Sequence, residues 1–429
     1  MRFLQTCVLL IAAFHIATAY SADLPRAATP EAAGLSSVRL QRLTDKFNFD
    51  VQQGEIPGAV VLIVKDGKVV YHEAFGFRDR AKSAPMPKDA IFRIASMTKP
   101  VTAVAALMLA EQGKLQLIDP VSRYLPEMKI LQVGVEQVAA NGERTLRLEP
   151  ARHQITIQDL LRHTSGLTYG PFGDSLVQRA YRAANVMDDQ QTNAQMMTKL
   201  AKLPLAFQPA SMFEYGMSTD VVGRVVEVQS NEDLEQYFAK HITRPLGMTS
   251  TGFRLRKEQV ERLAEPQWPK DSTPVVVGYD PTRPALWFSG GGGLLSTAMD
   301  YARFCQMLLN GGELNGTRLL SRKMVELMRS NHLPPDVGYG AFTQELGMTA
   351  PLPAFGQGYG LGVGVRMEQG RSSVPGSVGD FYWGGATGPY FWIDPQEKLI
   401  AIMMLQELDA TRRTYYRSVM RNLVHQALE

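Results

Sequence analysis

Ser96 and Lys99 stand three positions apart in Ser96-Met97-Thr98-Lys99, and on a helix residues i and i+3 share one face, about 5–6 Å apart. That spacing puts a lysine amine within reach of a serine hydroxyl. A serine hydroxyl is a weak nucleophile until a positioned base takes its proton. Lysine can be that base when burial or a neighbouring positive charge favours its neutral form, or when a tyrosinate shares the task. A helix N-terminus adds unpaired N–H groups and the positive end of the dipole, both suited to an oxyanion. Pro100 fits the placement, because first-turn N–H groups have no helical partner to lose. Alone, the pair is a weak signal. Ordinary serine and lysine usage gives about one Ser-x-x-Lys in a chain of this length, and a plain N-cap beside a surface cation reads the same way.

Two features downstream agree with it. Tyr215-Gly216-Met217-Ser218 follows a Pro/Ala loop and precedes a helix expected over 220–229, and Trp383-Gly384-Gly385 lies in a strand-like run ending at Asp394. With this order of motifs, the chain resembles the serine β-lactamase-related hydrolases, in particular class C β-lactamases and family VIII carboxylesterases. The likeness runs from about residue 35 to the C-terminus. It includes Leu161-Arg162-His163-Thr164-Ser165-Gly166-Leu167, Pro245-Leu246-Gly247-Met248, Gly290-Gly291-Gly292-Gly293-Leu294 and Phe391-Trp392-Ile393-Asp394-Pro395.

The resemblance implies a cofactor-free acyl-enzyme mechanism. Ser96 is then the nucleophile, Lys99 its base, and Tyr215 the second base and proton relay. The oxyanion hole would be the backbone N–H groups of Ser96 and Ala386, and Trp383, Gly384, Gly385 and Met217 would border the substrate. Two positions depart from the lactamase pattern. Met217 stands where Tyr-x-Asn places a substrate-holding amide, and Trp383 stands where a lysine or histidine usually begins the third motif. Lysine supplies a cation for the lactam carboxylate, and tryptophan cannot. Trp383-Gly384-Gly385 looks like the esterase branch. The expected substrate is therefore a small carboxylic ester, with short acyl chains favoured. A β-lactamase or D-Ala peptidase, and an acyltransferase using the same intermediate, are the alternatives. A catalytically dead binding protein on this fold would require loss of Ser96, Lys99 or Tyr215, and all are present.

Other residues carry blander readings. His163 reads as a helix-end histidine bonding nearby backbone. Gly290 to Gly293 lack the Lys-Ser/Thr of a phosphate loop and read as a tight turn into a strand beside the active site. Phe381 reads as strand packing and Trp383 as a pocket wall. Met196, Met197, Met212 and Met217 read as core or pocket lining. The loops 166–200, 266–289 and 331–357 should frame the pocket.

The elements that must position these groups follow from local pattern. A helix is expected over 37–53, stopped by Gly54. A hairpin is expected over 58–76, turning at Lys65-Asp66-Gly67-Lys68. A long apolar helix should span 96–112, a short one 156–163 with Thr156 and Asp159 as a capping box, and another 297–309. Antiparallel strands are expected over 358–367, 380–394 and 399–405. Strands at both ends with helices between predict an α/β fold, an antiparallel sheet flanked by helices, which the resemblance makes β-lactamase/transpeptidase-like. The α/β domain would comprise 24–125 and 290–429, with 126–289 a mostly α-helical insert.

Composition bounds the rest. Of 429 residues, 45% are hydrophobic and 20% charged, so the chain is globular rather than disordered. Forty-five basic against forty-two acidic residues leave no footprint for nucleic acid or an anionic membrane. Seven scattered histidines form no HExxH, and the cysteines Cys7 and Cys305 make neither a disulfide framework nor a metal site. Arg2, the apolar stretch 3–16 and Ala17-Thr18-Ala19 read as a signal peptide, 1–19. The expected location is secreted or periplasmic, without membrane insertion after cleavage, and no oligomeric state is implied.

Overall fold

Gly58–Lys65 is apolar at almost every position, as a strand covered on both faces must be, and it forms β1 (Gly58–Lys65). Asp66 and Gly67 then take φ of 49° and 73°, the left-handed pair of a type I′ turn, and the chain returns as β2 (Lys68–Asp79). A short β3 (Ala84–Pro85) pairs with the end of β2. The other strands come from the far end of the chain: β4 (Gln357–Tyr359), β5 (Gly364–Arg366), β6 (Phe381–Gly384), β7 (Tyr390–Asp394) and β8 (Leu399–Leu405). The order is β4-β5-β6-β7-β8-β1-β2-β3, and every neighbouring pair is antiparallel. The C-terminal strands thus complete the sheet, as expected, with Ala59 opposite Leu405. The runs 358–367 and 380–394 are each hairpins rather than single strands, because Gly362 (φ 83°) and Gly388 (φ 114°) sit in their turns. The computed structural model describes residues 23–266, 280–283 and 286–429; the signal segment with Cys7 and part of the loop 266–289 lie outside the described residues.

The longest helices are α1 (Ser37–Gln53), α2 (Thr98–Glu111), α3 (Ser218–Ser230), α4 (Ala298–Leu309) and α5 (Ala410–His425). Side chains alternate across a strand, so the central strands feed two cores. Val61, Ile63, Ala401 and Met403 pack with Leu43 and Phe47 of α1 and Met420 of α5. Val60, Leu62, Ile400 and Ile402 belong to a larger cluster on the other face, which includes Val104, Leu160, Tyr181, Met196 and Val222. α2 runs through that second core and is buried at every residue from Thr98 to Leu109, as a helix apolar all round must be. It begins two residues later than expected, since Ala95–Met97 is a separate 3-10 turn. The segment 126–289 contains several helices, and also a hairpin, Gln132–Val138 with Arg144–Pro150, that the sequence reading did not place. Its strands are largely exposed and polar, which hid the apolar alternation, although Asn141-Gly142 is a turn signal.

One buried ion cluster in this frame is compensated from within. Asp380 accepts from Arg366 Nε at 3.1 Å and from Arg421 at 2.6 Å, and all three side chains are essentially buried. Removing one partner of a buried ion cluster strands the others. Asp380→Asn is expected to lower stability by about 3–5 kcal/mol, read from the urea midpoint at constant slope. A loss below about 1 kcal/mol would mean that the two guanidinium groups do not depend on that carboxylate.

Candidate active site

The nucleophile turn is anchored from both sides. Phe92–Arg93 pairs with Leu295–Ser296, and Thr387 donates its hydroxyl to the Arg93 carbonyl at 2.7 Å. Between these anchors Ala95 is held at φ 44°, a left-handed conformation that a residue with a β-carbon adopts only under constraint. Ser96 follows, partly exposed, and Lys99 lies one turn further on, fully buried. Lys99 Nζ is 3.2 Å from Ser96 Oγ, 3.3 Å from the Tyr169 hydroxyl and 2.7 Å from the Gly291 carbonyl. The carbonyl can only accept, so it pins one N–H of the amine. The two hydroxyls can each donate or accept. Proton exchange between Ser96 and Lys99 therefore needs no rearrangement of the nitrogen.

Tyr169 and Gly291 contact Lys99 directly and Asp220 backs them through Gly291, a cluster in which no local pattern marks Tyr169 or Asp220. Asp220 is fully buried at the start of α3, where its carboxylate accepts from the Ser289 hydroxyl and from the Gly291 N–H at 3.1 Å. Burial raises its pKa, while the Lys99 charge acts in the opposite direction. Burial and then the Asp220 charge push the Tyr169 hydroxyl well above its ordinary range. A β-carbon on Gly291 would stand 2.4 Å from Asp220 Oδ2 and 2.9 Å from the Tyr169 oxygen, so only glycine permits this convergence. Gly290 accepts from Thr102 of α2 at 2.6 Å. The glycine run is thus the tight turn expected beside the site. Tyr169 lies just beyond the 161–167 motif, the one signal that could have found it.

Tyr215 presents its ring rather than its hydroxyl to the lysine, with Nζ 4.5 Å from the ring centroid. The hydroxyl accepts instead from Trp383 Nε1 at 3.1 Å. Trp383, expected as a pocket wall, is 2% exposed and holds the tyrosine oxygen. The two glycines after it have separate steric reasons. A β-carbon on Gly384 would lie 2.6 Å from the Arg417 guanidinium, and one on Gly385 would lie 2.5 Å from the Ile94 carbonyl. This close approach brings the turn at Ala386 beside the turn at Ser96. Neither residue's amide N–H is taken up by a backbone carbonyl among the described residues, which leaves both free for an oxyanion.

One expectation is corrected here. The His163 ring is not bonded to backbone. It is fully buried 4.7 Å from the Tyr215 ring, with Thr219 Oγ1 3.5 Å from Nε2 as its contact. Burial first, then the Lys99 charge, depresses its pKa well below the usual range, so it stays neutral and supports the tyrosine. Met196, Met197 and Met217 are fully buried core residues, as expected, with Met217 at the position just before α3, and Met212 is partly buried. Two loops expected to frame the site do so. Phe172 and Phe342 stack at 4.4 Å, and Phe342 lies 6.4 Å from the Tyr215 ring.

Known proteins with similar sequences cover most of this chain. Protein Rv1367c of Mycobacterium tuberculosis is 36% identical over 359 residues, 82% of this chain and 86% of that protein. Esterase EstB of Burkholderia gladioli is 29% identical over 400 residues, 88% of this chain and 91% of its own. Among solved structures, EstCE1, described as a hydrolase with promiscuous acyltransferase activity, superposes with a TM-score of 0.72 at 27% identity, covering 91% of this chain and 98% of that one. The fold is accordingly that of the β-lactamases and transpeptidases, shared here with esterase and acyltransferase members. With the Beta-lactamase family model matching residues 40–423, this chain belongs to the beta-lactamase family.

Proposed function

We propose that this protein is an exported serine hydrolase that cleaves carboxylic esters of short acyl chain through an acyl-enzyme. The observation that carries the reading is the 3.2 Å approach of Lys99 Nζ to Ser96 Oγ at a helix N-terminus. In this mechanism Ser96 Oγ attacks the ester carbonyl as its proton passes to Lys99. Charge on the carbonyl oxygen is met by the Ser96 and Ala386 amides. Tyr215 and Lys99 return the proton to the departing alcohol, and a water, activated in the same way, releases the acid. The resemblance to esterase EstB supports esters over lactams. So does the third motif, where the indole N–H of Trp383 is already committed to Tyr215. A second reading, acyl transfer to an alcohol acceptor, shares the intermediate and is supported by the likeness to EstCE1.

The test is a panel of nitrophenyl esters from two to twelve carbons, beside a chromogenic cephalosporin and a D-Ala-D-Ala peptide. A bicyclic lactam brings a carboxylate that needs a cation, and an unpaired buried carboxylate costs several kcal/mol. Nitrophenyl butyrate is therefore expected to show kcat/KM at least about a hundredfold above the cephalosporin. Equal or higher cephalosporin turnover overturns the ester reading. Product analysis with an added alcohol separates hydrolysis from transfer.

A further inference from the structure

We propose that Arg417, on α5, is a positioning residue of the oxyanion hole, holding and polarising the Gly385–Ala386 peptide from behind the sheet. The inference rests on the acyl-enzyme reading above. One guanidinium N–H of Arg417 donates to the Gly385 carbonyl at 2.9 Å. That carbonyl and the Ala386 N–H belong to the same planar peptide unit. The Gly388 N–H also donates to that oxygen, at 3.1 Å, so the two donors together fix the plane in which the Ala386 N–H points, and the charged one draws electron density away from it. Hydrogen bonds in such a chain strengthen one another by about 10–30% per bond, and a charged donor is stronger than a neutral one.

The surroundings of Arg417 are those of a cation with this task. Its helix neighbour Arg421 is neutralised by Asp380 at 2.6 Å, but no carboxylate lies within ion-pair distance of Arg417 among the described residues. Its other contacts are Thr349 Oγ1 at 3.5 Å and the face of Tyr390, 5.7 Å from the ring centroid. The nearby Arg413 adds like charge rather than relief, and burial with that repulsion lowers the Arg417 pKa to about 10, leaving it charged at neutral pH. A buried, uncompensated guanidinium is unfavourable. Here its charge lies against the peptide that would meet developing negative charge. Gly384 is the steric condition for the contact, since a β-carbon there would collide with the guanidinium.

The experiment measures the rate at which an alkyl fluorophosphonate labels Ser96 in the full chain, with peptide mapping of the adduct and thermal unfolding as controls. The phosphoryl oxygen occupies the oxyanion position, so the rate reads that site without a carboxylic substrate. Arg417→Met, similar in length but uncharged, is expected to label about ten- to a hundredfold more slowly. With nitrophenyl butyrate, kcat should fall by a comparable factor while KM stays within about twofold. The preference for that ester over its thiono analogue, whose sulfur accepts weakly, should shrink, whereas general loosening of the fold would slow both alike. Arg417→Lys, which keeps a charged donor, should recover most of the rate. Labelling of Ser96 by folded Arg417→Met within about threefold of the parent overturns the proposal. Should that variant fail to fold, the same result with Arg417→Gln does so. An adduct on a residue other than Ser96 sinks both the acyl-enzyme reading and this inference, whereas an adduct on Ser96 formed at an unchanged rate sinks the inference alone.

Discussion

Ser96→Ala is expected to lower ester turnover by at least about a thousandfold, leaving only what binding and the oxyanion amides contribute. The expectation rests on a combination found at this hydroxyl. It follows a strained residue, Ala95, at the start of a buried helix, and a lysine amine stands 3.2 Å away. Ser165 and Ser218 are also close to the site in sequence terms, but they bond each other at 2.8 Å and both are fully buried. Peptide mapping after fluorophosphonate treatment should place the adduct on Ser96, and the alanine variant should take up none. Because Ser96 is partly exposed and its hydroxyl serves chiefly the lysine, the variant should melt within a few degrees of the parent. Full activity in Ser96→Ala, or labelling at another serine, would remove the nucleophile assignment.

Lys99→Met and Tyr215→Phe should each lower kcat at least about a hundredfold, the lower range for general-base catalysis. The double variant should be little worse than the poorer single one. Groups that serve one proton transfer are non-additive, because losing either disables the step. The amine lies over the face of the tyrosine at 4.5 Å and the phenol oxygen accepts from Trp383, so a proton shared by the two residues passes through a third group, the Ser96 hydroxyl or the departing alcohol. Methionine keeps the length of the buried side chain at position 99, so the loss should not come from a cavity. It does leave the Gly291 carbonyl without its donor, and thermal unfolding must be measured alongside. Losses that multiply would show that the two residues act in separate steps, and the shared-proton scheme would have to be abandoned.

The features that the linear chain specified are those governed by neighbours within a few residues. Ser37–Gln53, stopped by Gly54 at φ 78°, and the Asp66-Gly67 turn follow from capping, apolar period and conformational freedom, and they formed where expected. The Thr156–Asp159 capping box did too, because both of its hydrogen bonds close within one helical turn. The spacing of Ser96 and Lys99 likewise made their approach possible, although the strained turn that holds Ser96 is anchored by distant strands. What it left open was everything that reaches them from a distance. Tyr169 comes from 70 residues away, the Gly291 carbonyl from 192, and the indole N–H on Tyr215 from 168. No propensity or period encodes such meetings, since they depend on how the sheet, α2 and α3 pack together. The same holds for Arg417, an ordinary basic residue in a helical pattern until α5 carries it under the Gly385 carbonyl. Trp383 shows the difference most clearly. Its residue type pointed away from a lactam-binding cation, but only the packing of β6 against the Tyr215 loop turned its N–H into a hydrogen-bond partner of the proposed proton relay.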